Sequence, residues 1–201
     1  MAAALALSGC AARVSYNVTQ SYIDPYFSER QLNHAQVAVL PFLTTQGVSV
    51  DGDLRPERVV RKLRALRPDM EFVSFMGFEN SLPAPIDRKI VPEFYGKLYE
   101  GDILGVQAMD SLWAHIAQPY LLVYTLRAGA IINNVDKSLF KHASLVCELW
   151  SREQRAVVWR ASCMGVSDDK HVSDARLMAE GMLHLAEAIP PTAPNYGREA
   201  W

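Results

Sequence analysis

Apolar positions recur along this chain with two different periods, and the switches between them mark its elements. Ala35–Leu43 (AQVAVLPFL) is an almost unbroken apolar run rich in β-branched residues, which predicts a buried strand with Pro41 at its end or on an edge. Leu54–Arg67 repeats at helical spacing instead. Val59, Val60, Leu63 and Leu66 form one stripe, Pro56 suits the first turn, and Pro68-Asp69 stops the helix. Met70–Phe75 (MEFVSF) returns as a strand. Residues 79–92, with Pro83, Pro85 and Pro92, read as an irregular crossover. Ile103–Ala117 is again helical, with Ile103, Val106, Met109, Leu112, Trp113 and Ile116 on its buried side, and Pro119–Gly129 is a strand.

The sharpest alternation lies in Phe140–Trp150, where Ala143, Leu145, Cys147 and Leu149 alternate with Ser144, Val146, Glu148 and Trp150. With Ala156–Gly165 it predicts a long hairpin around Ser151–Arg155. Ser173-Asp174 then caps a last helix, striped by Met178, Met182, Leu185 and Ile189 and stopped by Pro190-Pro191. This order of elements predicts an α/β (α+β) fold: a mixed sheet of about five strands, helices packed on its faces, a long C-terminal hairpin and a final helix. Residues 35–189 form one domain, with Gln46–Asp53 a loop inside it. Residues 10–34 lack a sustained period and read as a tether that becomes ordered toward its end. Residues 190–201 are a Pro-containing tail.

Composition narrows the class. A chain of 201 residues, half of them apolar, can bury roughly 70% of its unfolded surface without a disulfide framework. Twenty basic residues against 22 acidic ones exert no global pull toward nucleic acid. No apolar run approaches the length of a membrane-spanning helix.

The first ten residues change the picture. Residues 2–7 are a short apolar stretch, Ser8 and Gly9 are the small residues a processing site requires, and Cys10 follows. Leu7-Ser8-Gly9-Cys10 resembles the lipobox of bacterial lipoproteins, which implies cleavage before Cys10 and diacylation of its thiol. Two or three acyl chains anchor stably, at about 0.8 kcal/mol per buried CH₂. No Lys or Arg precedes the apolar stretch, so residues 1–9 are expected to be the remnant of a longer signal. Ala11, not Asp, comes after the cysteine, which by Gram-negative sorting favours the outer membrane, with the domain facing the periplasm. The other reading is an Ala-rich helix ending at Gly9, with Cys10 an ordinary buried thiol.

Two further stretches carry a resemblance. Val37-Ala38-Val39-Leu40-Pro41-Phe42 is similar to the first strand of the α/β domain shared by the TolB amino-terminal domain, the curli secretion protein CsgG and the penicillin-binding-protein activator LpoB. Glu148–Trp159 (ELWSREQRAVVW) resembles the late hairpin of that group. The resemblance implies a non-enzymatic lipoprotein that works by binding partners in the periplasm. Channel formation of the CsgG type needs long amphipathic membrane hairpins, which the sequence lacks.

Candidate chemistry is sparse. A hairpin centred on Glu153 puts Cys147 opposite Trp159 and Cys163 opposite Ala143, on one face of the sheet but too far apart to bond, so two separate thiols are expected over a disulfide. The histidines (His34, His115, His142, His171, His184) have no metal-ligand spacing, and Asp168-Asp169-Lys170-His171 reads as a solvated loop. No motif for nucleophilic catalysis or nucleotide binding occurs, so no catalytic residue, metal or cofactor is assigned. The notable charged feature is the first helix. Arg55, Arg58, Arg61, Lys62, Arg64 and Arg67 face only Glu57, and Arg58, Arg61 and Arg64 lie opposite the apolar stripe. They form either a docking face for an acidic partner or anionic headgroups, or a solvated face that keeps the helix soluble. Tyr16, Tyr22, Tyr26 and Phe27 likewise pack back on the sheet or form an epitope. The expectation is an outer-membrane lipoprotein that binds and scaffolds or activates another envelope protein or a cell-wall component, with no nucleic-acid partner. The alternatives are an exported hydrolase of cell-wall or lipid material, or an oligomeric accessory of a secretion or motility machine.

Overall fold

The computed structural model describes residues 14–44, 52–74, 113, 117–132, 139–169 and 171–190. It is a mixed α/β fold built on one seven-stranded sheet. In chain order the strands are β1 (Val14–Ile23), β2 (Gln36–Val39), β3 (Leu43–Thr44), β4 (Glu71–Ser74), β5 (Tyr120–Ile132), β6 (Leu139–Ser151) and β7 (Ala156–Ser167). Their spatial order is β1-β7-β6-β5-β2-β4, with β3 extending the β2 side of β5. β2 is parallel to β4 and β5, while β1, β7, β6 and β5 are mutually antiparallel neighbours. Two helices, α1 (Pro56–Leu66) and α2 (Asp174–Glu187), pack on the sheet.

The sequence predicts five of these strands. Pro41 accounts for one difference: lacking an N–H, it divides the run 35–43 into β2 and β3. The larger correction is β1. Val14–Ile23 lies within the stretch read as a tether, yet it pairs with β7 from Val14↔Ser167 to Ile23↔Trp159. The helix at 103–117 lies outside the described residues apart from Trp113, which is helical and buried, and Ala117. The crossover 79–92 is also outside them, as is the tail beyond the buried Pro190.

The main core lies between one sheet face and the two helices. Leu145, Cys147 and Leu149 of β6, Leu122 and Tyr124 of β5, and Trp159 and Ala161 of β7 meet Met178, Met182 and Leu185 of α2, and Val59 and Leu63 of α1 belong to the same cluster. Buried leucine-sized side chains each contribute about 1.5–3 kcal/mol, so the alternation read along β6 is the strongest single determinant of the sheet. Gly181 lets α2 approach closely: a Cβ there would lie 2.8 Å from Leu145 Cδ1. Leu40, Leu121, Val123 and Trp150 are buried outside this cluster.

The hairpin forms where the sequence places it, with a shifted register. Arg152–Arg155 make a four-residue connection, closed by the pair Ser151↔Ala156, and a bulge between Leu149 and Trp150 displaces the pairing further. Arg155 takes φ +52°, the left-handed position that a glycine would occupy without strain. Cys147 therefore faces Ala161 and Cys163 faces Leu145, not Trp159 and Ala143. The thiols are diagonal neighbours, buried and free.

Candidate functional site

Leu7, Ser8, Gly9 and Cys10, the residues that resemble a lipobox, lie outside the described residues. The structure bears on the surfaces that follow them. β1 begins at Val14 and pairs on one side only, with β7, among the described residues. Val14, Tyr16 and Val18 alternate with Ser15, Asn17 and Thr19, a period-2 signal that the bulge between Gln20 and Tyr22 obscures in the sequence. Tyr16 spans from this edge to α2. Its ring lies on Gly165, where a Cβ would come within 2.7 Å of it, and its centroid is 4.7 Å from that of His184. Its hydroxyl is within 3.2 Å of the Leu177 carbonyl and 3.0 Å of Glu180 Oε2.

The hydroxyl and the carboxyl of this seam are displaced from their ordinary values in opposite directions. Burial, and then Glu180, push the Tyr16 hydroxyl far above its ordinary range. Burial would raise Glu180 too, but hydrogen bonds from Arg176 (2.9 Å) and Tyr16 outweigh it and hold the carboxyl below its usual value. The seam is a latch between β1 and α2. Burial acts on the two thiols as well. Burial raises Cys147 well above the ordinary thiol value and Cys163 to about 11.

The aromatic residues of 14–27 divide into two sets. Tyr16 is half-buried, and Phe27 is buried in an edge contact with Tyr120, with ring centroids 6.4 Å apart. Tyr22, Ile23 and Tyr26 stay outside, 40%, 39% and 85% exposed. The only other exposed large apolar side chain among the described residues is Met164, which sits on β7 opposite Asn17 of β1.

The basic helix also divides. Arg58 and Arg61 are exposed, Arg58 within 3.5 Å of Asp53. Arg64 is exposed beside them, as expected, while its Nε donates to the Phe72 carbonyl at 2.7 Å. Arg67, read as part of the same basic set, is only 2% exposed. It donates to the Ala186 and Ile189 carbonyls at the end of α2 and forms a two-point pair with Asp69. Its position past the last turn of α1 is the signal for that role, since a buried guanidinium needs acceptors and a helix C-terminus supplies them.

Asp169 accepts from the His171 N–H at 2.8 Å, and Lys170 lies outside the described residues. No cluster of three metal-ligating side chains occurs among the described residues. No described helix is long and apolar enough to cross a membrane.

No protein-family model matches the chain, and no curated protein matches it. Among solved structures it is similar to the PelC dodecamer from Paraburkholderia phytofirmans, at 16% identity and a TM-score of 0.46, covering 85% of this chain and 94% of that one. It is also similar to the lipoprotein GNA1162 from Neisseria meningitidis, at 12% identity and a TM-score of 0.42, covering 77% of this chain and 98% of that one.

Proposed function

We propose that this protein is a lipid-anchored component of the bacterial outer membrane whose periplasmic α/β domain binds another envelope component and does no chemistry of its own. The observation that carries the reading is Leu7-Ser8-Gly9-Cys10 standing four residues ahead of the first strand of a folded domain. The similarity of residues 37–42 and 148–159 to the TolB, CsgG and LpoB group supports binding over catalysis. The raised thiols and the closed Tyr16–Glu180 pair agree with it. Arg58 and Arg61 are the docking residues, presented on the outer side of α1 to a partner with an acidic surface.

Fractionation of cells expressing the full chain tests the anchor. Cys10→Ala should leave the domain folded and move it from the membrane to the soluble periplasmic fraction; unchanged membrane recovery would sink the anchor. A photo-crosslinking residue at Arg61 tests the docking face. An adduct with one envelope protein, lost on Arg58→Glu, is expected, and the absence of any adduct would overturn that assignment.

A further inference from the structure

We propose that the β1 edge, with Tyr22, Ile23 and Tyr26 at its far end, is the face that lies on the membrane surface. The inference rests on the lipid-anchor reading and adds an orientation to it. With Cys10 acylated at the bilayer, the four Cα steps to Val14 span at most about 14 Å, so the start of β1 is held at the headgroups. Two poses satisfy that tether. In one the strand stands upright, and in the other it lies along the surface.

Three features select the second pose. β1 has ten residues without a charge, although edge strands open to water are commonly protected by charged side chains. The next charge, Asp24, is occupied locally by the Tyr22 hydroxyl and the Tyr26 N–H. All four exposed large apolar side chains among the described residues, Tyr22, Ile23, Tyr26 and Met164, lie on β1, in the turn after it, or beside it on β7. Tyrosines with an apolar ring and a polar tip suit the headgroup boundary, where water and lipid oxygens also satisfy the open backbone edge. β4, at the other edge of the sheet, lies about 24 Å from β1 across five strand spacings, and α1 packs on β4 and against α2.

The test uses the full lipidated chain in vesicles of phosphatidylethanolamine and phosphatidylglycerol that contain a nitroxide-headgroup phosphatidylcholine. A fluorophore is attached in turn through Tyr26→Cys, His171→Cys and Glu57→Cys; the buried Cys147 and Cys163 stay unlabelled. Loss of fluorescence at position 26 and none at 57 is the expected result. Loss at 171 and none at 26 means an upright strand and overturns the proposal while leaving the anchor intact. Protection at all three positions, with doubled mass by light scattering in detergent, assigns the edge to a second copy and overturns it as well. Mass spectrometry of the N-terminal peptide separates the two claims: an unmodified Cys10 removes the anchor, and the proposal with it. A long Gly-Ser insertion between Arg13 and Val14 should weaken the loss at 26, and Tyr22→Ser with Ile23→Ser should weaken it further.

Discussion

Arg67 shows how a single residue departs from the pattern that surrounds it. Its neighbours on α1 carry charge to solvent, whereas Arg67 takes a guanidinium into the core and donates to the Ala186 and Ile189 carbonyls and to Asp69. The carbonyls of Ala186 and Ile189 lie at the end of α2, where the Ala186 carbonyl also accepts from the Ile189 N–H, and Asp69 supplies the counter-charge. Arg67→Met keeps the stem but strips these bonds. It should destabilise the domain by about 2–4 kcal/mol in urea unfolding, since buried polar partners lose their donor. The same pair sets a pH dependence. Hydrogen bonds from Arg67 hold the Asp69 carboxyl below its ordinary value, so its stabilising contribution is complete above the unfolded carboxylate pKa of about 4 and is lost as pH falls through the lower folded value. Unfolding midpoints taken down that range should fall less steeply in Arg67→Met than in the parent. An identical slope would assign the acid sensitivity to other carboxylates.

The elements differ in how openly the sequence declares them. α2 is written twice over: Ser173 accepts from the Arg176 N–H at 3.1 Å as its cap, and Met178, Met182, Leu185 and Ile189 are all buried as their spacing requires. β6 is equally plain, because a strand covered on one face by helices must alternate. β1 and the hairpin register are harder, for the same physical reason. Each depends on a bulge, and a bulge adds a residue without changing residue type. The division of the α1 arginines is not legible in the helix itself, since Phe72 and Ala186 choose among them from elsewhere in the chain. The latch between β1 and α2 depends on a missing side chain. Gly165→Ala would place a Cβ 2.7 Å from Tyr16 Cε1 and 3.3 Å from Leu177 Cδ1, levering the ring away from Glu180. A loss of about 1–3 kcal/mol is expected, as for other overpacked sites, and Tyr16→Leu in the same chain should recover part of it because the smaller side chain yields. Full additivity of the two losses in a double-mutant cycle would show that the ring and the glycine are not coupled.

Across the whole molecule, the first strand is joined to the last, and the order in which the fold opens follows from that closure. Val14 meets Ser167 only after nearly the whole domain has been laid down, and β1 gains one neighbouring strand where β6 and β7 each have two. Its side chains are mostly exposed, whereas those of β6 include Leu145, Cys147 and Leu149 at full burial. Local opening therefore begins at β1, and the latch through Tyr16 is what opposes it. Native-state hydrogen exchange should find β1 amides exchanging through a partial opening well below the global unfolding free energy, with β5, β6 and β7 protected to the global limit. Tyr16→Phe removes the one hydroxyl proton that faces the Leu177 carbonyl and Glu180, and should accelerate β1 by a factor of about 5, equivalent to roughly 1 kcal/mol, without changing β6. Equal acceleration in both strands would mean that the domain opens only as one unit. The distinction bears on the anchor. While β1 is paired, the tether from Cys10 is four residues long; if β1 peels away, the ten residues of the strand join it, adding about 30 Å of reach. With Cys10 acylated as proposed, a latch of modest strength would hold the domain against the membrane in the closed state and release it to a greater distance when it opens.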